Sequence, residues 1–99
     1  MRRGGSELEL GRLRHATGDL EEAAESFARA IATFRAVGDQ QGEAETRNGN
    51  AALVYAVEGP QPALACFRQA LELALSAQSP VDEAAARAGS ARCPGTLEQ

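Results

Sequence analysis

Ala23, Phe27, Ala30 and Ile31 return forty positions later as Ala63, Phe67, Ala70 and Leu71. The same offset pairs Glu43 with Glu83, Ala44 with Ala84, Arg47 with Arg87 and Gly49 with Gly89, so two separate stretches of each unit share one register. This confines the chain to repeat architectures. A unit of this size cannot enclose a core alone; it buries its apolar face against the next unit and presents an extended surface rather than an enclosed pocket. The expected function class is a binding module.

Within each unit the spacing is helical. Ser6 with Glu9 has the form of a capping box and predicts a helix to about Ala16, ended by Gly18. Asp19 with Glu22 repeats that signal, and Ala23, Phe27, Ala30, Ile31 and Phe34 then fall on one face of a second helix running to about Val37. Gly38 supplies a left-handed C-terminal residue and Asp39 a cap for a third helix, which carries Ala44, Ala51, Leu53, Val54 and Val57 up to Gly59. Pro60 and Pro62 fit the first turn of a fourth, where backbone amides have no intrahelical acceptor to lose. That helix carries Ala63, Phe67, Ala70, Leu71 and Leu75 and is expected to stop near Gln78. Ser79, Pro80 and Asp82 open a fifth, Ala-rich helix to about Arg92, weakened by Gly89 and Ser90; Cys93 to Thr96 then predict a frayed tail. Neither period-two alternation nor a β-branched cluster signals a strand.

Composition narrows the partners. With 99 residues, 43% of them apolar, the chain makes one small domain with a modest core. Its aromatic residues are Phe27, Phe34, Phe67 and Tyr55, so helix contacts must rest mostly on Ala, Leu, Ile and Val. A formal charge of −4, with no helix carrying an Arg stripe, argues against a nucleic-acid surface. No stretch approaches the ~20 apolar residues of a membrane span, and the two arginines after Met1 lead into no apolar leader. The expectation is a soluble, cytoplasmic protein. All ten basic residues are Arg, a bias of GC-rich bacterial genomes more than of mechanism. Cys66 and Cys93 form no CxxC pair and fit a reduced setting.

Leu10-Gly11, then Gly18-Asp19-Leu20-Glu21-Glu22-Ala23, Phe27 and Ala30-Ile31 resemble the tetratricopeptide repeat. In the second unit Asn50-Ala51 stands in place of the Leu-Gly pair, while Ala63, Phe67, Ala70 and Leu71 keep the pattern. The resemblance implies an all-α, right-handed α-solenoid of antiparallel helical hairpins, with one repeat over residues 6–38, a second over 39–78, a terminal helix over 79–92 and a flexible tail over 93–99. The period of forty and the connectors around Gly38-Asp39 and Ser79-Pro80 are also similar to the long repeats in C-terminal regions of actinobacterial antibiotic-regulatory transcriptional activators. That resemblance implies, as an alternative role, a sensory or autoregulatory segment; no Walker loop or helix-turn-helix accompanies it.

In tetratricopeptide arrays the first helix of each pair lines a concave groove. The matching positions are Leu8, Arg12 and His15 in the first unit and Asn48, Ala52 and Tyr55 in the second. Arg12 and Asn48 suit a partner's carboxylate or backbone, His15 offers a titratable donor, and Tyr55 a stacking face. The same residues also read as ordinary solvated surface, since long Arg stems often simply cover apolar area. Ala52 and Ala56 stand where a two-carboxylate clamp would need polar groups. His15 has no nucleophile and orienting acid in any local motif, so the chain reads as a non-enzyme, and its single His and two scattered Cys suggest neither metal nor cofactor. The expected partner is a peptide or protein. Because arrays are normally capped at their ends, Leu8, Leu10 and Leu13, or Ala84, Ala85, Ala88 and Ala91, are candidates for homodimerisation or for contact with further repeats.

Overall fold

The computed structural model describes residues 19–93, which form four helices: α1 (Leu20–Val37), α2 (Gln40–Glu58), α3 (Pro60–Ser76) and α4 (Pro80–Ala91). No strand occurs among the described residues. The helix expected over residues 6–16 and the tail from Pro94 onward lie outside them. Links of one to three residues join successive helices, which makes neighbours antiparallel. Each helix packs on its predecessor, and α4 reaches back to touch α2 as well, so the hairpins stack as a solenoid requires.

The helix ends follow from local chemistry. Gly38, at φ 74°, takes the left-handed conformation that closes α1; its N–H donates to the Arg35 carbonyl at 3.2 Å and Asp39 N–H to the Phe34 carbonyl at 2.9 Å. Asp39 Oδ1 then accepts from Gly42 N–H at 2.9 Å and opens α2 as predicted. The end of α3 repeats the closing pattern forty residues on, with Gln78 bonded to Leu75 at 3.1 Å and Ser79 to Ala74 at 3.0 Å. There Gln78 holds the left-handed φ of 55°. Two capping expectations are corrected. The Asp19 side chain makes no cap hydrogen bond, leaving its carbonyl to accept from Ala23, and Ser79 Oγ donates to Asp82 Oδ2 at 2.7 Å instead of serving a backbone amide. α3 ends at Ser76, two residues before the expected stop.

The core divides into two clusters centred on equivalent phenylalanines. Phe27 sits with Ala23, Ala30, Phe34 and Leu53, and Phe67 with Ala51, Ala63 and Cys93. Leu53 and Cys93 are themselves forty residues apart, so each ring meets the same position of the repeat. Each also lies on a glycine of the following helix. A Cβ at Gly49 would stand 2.9 Å from Cε1 of Phe27, and one at Gly89 would run still closer into Cδ1, Cε1 and Cζ of Phe67. Gly89 therefore reads differently from its propensity: α4 continues through it, and the missing side chain is the space the ring occupies. Cys93, assigned to the tail from the sequence, is wholly buried against Phe67. Phe34 makes a third such contact, because a Cβ at Gly42 would fall 2.5 Å from its ring.

Two expected core residues are on the surface. Val57 is 55% exposed and Leu75 49% exposed, both in the last turn of their helices. Ile31 and Leu71 are half-buried. Two interior polar groups are matched: Thr46 Oγ1 donates to the Gly42 carbonyl at 2.8 Å, and the nearly buried Glu43 carboxylate takes Arg47 at 2.9 Å and Arg35 at 3.3 Å.

Candidate protein-interaction surface

Asn48, Ala52 and Tyr55 are spaced by four and three along α2 and so share one face. That face meets α4. Asn48 Nδ2 donates to the Asp82 carbonyl at 3.1 Å, near the start of α4, while the Tyr55 hydroxyl makes a long 3.5 Å contact with the Arg92 carbonyl at its end. Ala52, half-buried between them, packs against the Phe67 cluster. Asn48 and Tyr55 thus straddle the length of α4, and the tyrosine ring stays 40% exposed. Asn48 Oδ1 is buried without a partner. Leu8, Arg12 and His15 lie outside the described residues.

Two concavities flank this strip. The larger, about 480 Å³, opens where the start of α1 meets the end of α2, with apolar walls from Leu20, Ala24, Leu53, Val54 and Val57. Glu21, Asn50 and Glu58 complete its rim. The smaller, about 370 Å³, lies between α2 and α3 and is lined by Glu43, Arg47, Gln69, Glu72, Leu73 and Ser76. Sequence reasoning did not point to either, because each joins residues of two different helices; Glu43 and Arg47 of the repeated stretch line the second.

The thiols offer little reactivity. Burial pushes the Cys66 thiol above its ordinary pKa, the Glu58 carboxylate adding to this and Arg47 opposing it. A raised pKa leaves less thiolate, the nucleophilic form. Cys93 Sγ is buried and donates to the Gly89 carbonyl at 3.5 Å. No group of three or more His, Cys, Asp or Glu side chains is placed to hold a metal among the described residues. No helix among them is long and apolar enough to cross a membrane.

Stacked antiparallel hairpins with equivalent rings and glycines in successive units define a helical-repeat protein. A family model described as Tetratricopeptide repeat matches residues 4–76, and the chain belongs to that family. No curated protein and no solved structure matches it significantly. Repeats of this family generally mediate protein–protein interaction and typically act as non-catalytic scaffolds. The match stops at Ser76, yet α4 repeats the first part of α2 at the same offset, through Glu83, Ala84, Arg87 and Gly89.

Proposed function

We propose that this chain is a non-catalytic interaction scaffold that holds a peptide or protein segment along the face carrying Asn48, Ala52 and Tyr55, with Leu8, Arg12 and His15 extending it in the first unit. The observation that carries the reading is the placement of Tyr55, a ring 40% exposed at one end of a strip that runs along α4. Exposed aromatic rings desolvate readily against a partner and commonly anchor interfaces. The strip is short of fixed charge, which suits recognition of backbone and apolar side chains. The test is a pull-down comparing wild type with an Arg12→Ala, Asn48→Ala, Tyr55→Ala variant whose fold is checked by circular dichroism. Loss of partners supports the reading, and retention of every partner by the folded variant overturns it.

A regulatory segment within a bacterial transcriptional activator is the second reading. It is favoured by the forty-residue period, whose two connectors close their helices with the same pair of backbone hydrogen bonds. The gene context decides it: upstream DNA-binding and NTPase modules would support it. In either role the exposed face of Ala84, Ala85, Ala88 and Ala91 on α4 is a place for self-association or for further repeats. Light scattering that shows a monomer mass at every concentration would remove the homodimer.

A further inference from the structure

α2 and α4 carry the same residues at four equivalent places, and only α2 has them covered. Glu43, Ala44, Arg47 and Ala51 return as Glu83, Ala84, Arg87 and Ala91. In α2, Ala44 and Ala51 are wholly buried, and the Glu43 and Arg47 side chains are only 10% and 23% exposed. In α4, Ala84 and Ala91 are exposed, and the Glu83 and Arg87 side chains rise to 34% and 59%. The cover on α2 is α3, the helix it touches most extensively. Ala51 packs with Ala63 and Phe67, while Gln69, Glu72 and Leu73 stand beside Glu43 and Arg47. α3 thus runs antiparallel along this face, with its phenylalanine towards Ala51 and its acid towards Arg47. In α4, the buried Asp82, Ala86 and Gly89 face the rest of the stack, and Gly89 takes the Phe67 ring. At about 100° per residue, Ala84, Arg87 and Ala91 fall on the opposite side. Among the described residues no helix lies there.

We infer that this face of α4 docks an amphipathic helix of another polypeptide that carries the α3 pattern: an alanine, a phenylalanine four places on, an alanine seven places on and an acid nine places on, as in Ala63, Phe67, Ala70 and Glu72. The inference rests on the scaffold reading above and gives one partner its chemistry. Small side chains let two helix axes approach closely, so a matching helix buries Ala84 and Ala91 as α3 buries their counterparts. Arg87 donates to Glu83 through Nε at 3.0 Å, which leaves its terminal nitrogens to pair with the incoming acid. A second copy of this chain has no such helix to give among the described residues. In both α1 and α3 the phenylalanine and its flanking alanines are already buried in their own stack.

Fluorescence anisotropy on the full chain tests it with a labelled peptide copying Pro60–Ser76, the helix that fills this place on α2. Saturable binding is expected, weakened about tenfold by Phe67→Ala in the peptide and about threefold by Glu72→Lys. An Ala84→Arg, Ala91→Arg variant of the chain binds about tenfold more weakly, with its helix content unchanged by circular dichroism because both positions are on the surface. Arg87→Glu, a second surface change, reverses the charge preference, so that the Glu72→Lys peptide binds the more tightly. Absence of saturable binding to the wild-type chain overturns the inference, as does an Arg87→Glu chain that still prefers the acidic peptide. So does equal binding by the double variant, which would mean that the peptide exchanges with α3 on α2. A wild-type dimer in sedimentation that the double variant turns into a monomer also overturns it, because a second copy would then hold the face. Where the peptide fails to bind, the pull-down above still decides the tyrosine strip, so the two readings fall separately.

Discussion

Phe27 and Phe67 occupy equivalent places in successive units, yet the two units around them are not equally finished. In the first, the ring packs under Leu53, α1 ends on a glycine, and Glu43 is held by two arginines. In the second, Cys93 takes the leucine's place, Gln78 the glycine's, and Leu75 stands where Arg35 would reach the equivalent carboxylate, leaving Glu83 with Arg87 alone at 3.0 Å. What both units retain is a phenylalanine lying against a helical glycine. Close approach of the following helix is thus the property the repeat cannot give up, while caps and ion pairs are adjustable.

The largest test of this comparison is a methyl group placed under each ring. Gly89→Ala is expected to cost about 3 kcal/mol, because backbone or ring must move to admit the Cβ, whereas Gly49→Ala costs about 1 kcal/mol, since only the edge of Phe27 has to yield. Urea unfolding of the two variants measures the difference; equal losses would mean that the two contacts are equally tight. Next comes the carboxylate pair. Glu43→Gln removes a charge-assisted bond from a buried group and should cost about 1–2 kcal/mol. Glu83→Gln, in a half-exposed pair, should cost less than about 0.5 kcal/mol. The smallest effect sharpens the contrast at the helix ends. Gln78→Gly relieves a left-handed side-chain residue and should stabilise by about 0.5 kcal/mol, while Gly38→Ala should destabilise by about 1 kcal/mol, read as opposite shifts of the urea midpoint.

Helical spacing made the architecture legible. Ala23, Phe27, Ala30 and Phe34 are all fully buried, as are Ala63 and Ala70, and the breaks at Gly38 and Gly59 fall where the glycines stand. The Gly89 contact was not legible. Glycine inside a helix is scored by its propensity, and nothing local says that a ring twenty-two positions earlier will rest on it. Helical geometry also put Asn48, Ala52 and Tyr55 on one face, but that face's engagement with α4 depends on how closely Phe67 lets α4 approach. The apolar notch was hidden for a related reason: Leu20 begins one helix and Val57 ends another, and they share a cavity only through packing.

A single residue, Gly59, separates α2 from α3, with φ 99° and its N–H bonded to the carbonyls of Val54 and Tyr55. Such a joint has no slack. One inserted residue there would swing the apolar stripe of α3 by about 100° and turn Phe67 away from α4. The segment Ala77–Ser79 is longer, and its three amides are bonded to the carbonyls of Leu73, Leu75 and Ala74. The length of the repeat is therefore fixed most tightly at the joint within the hairpin.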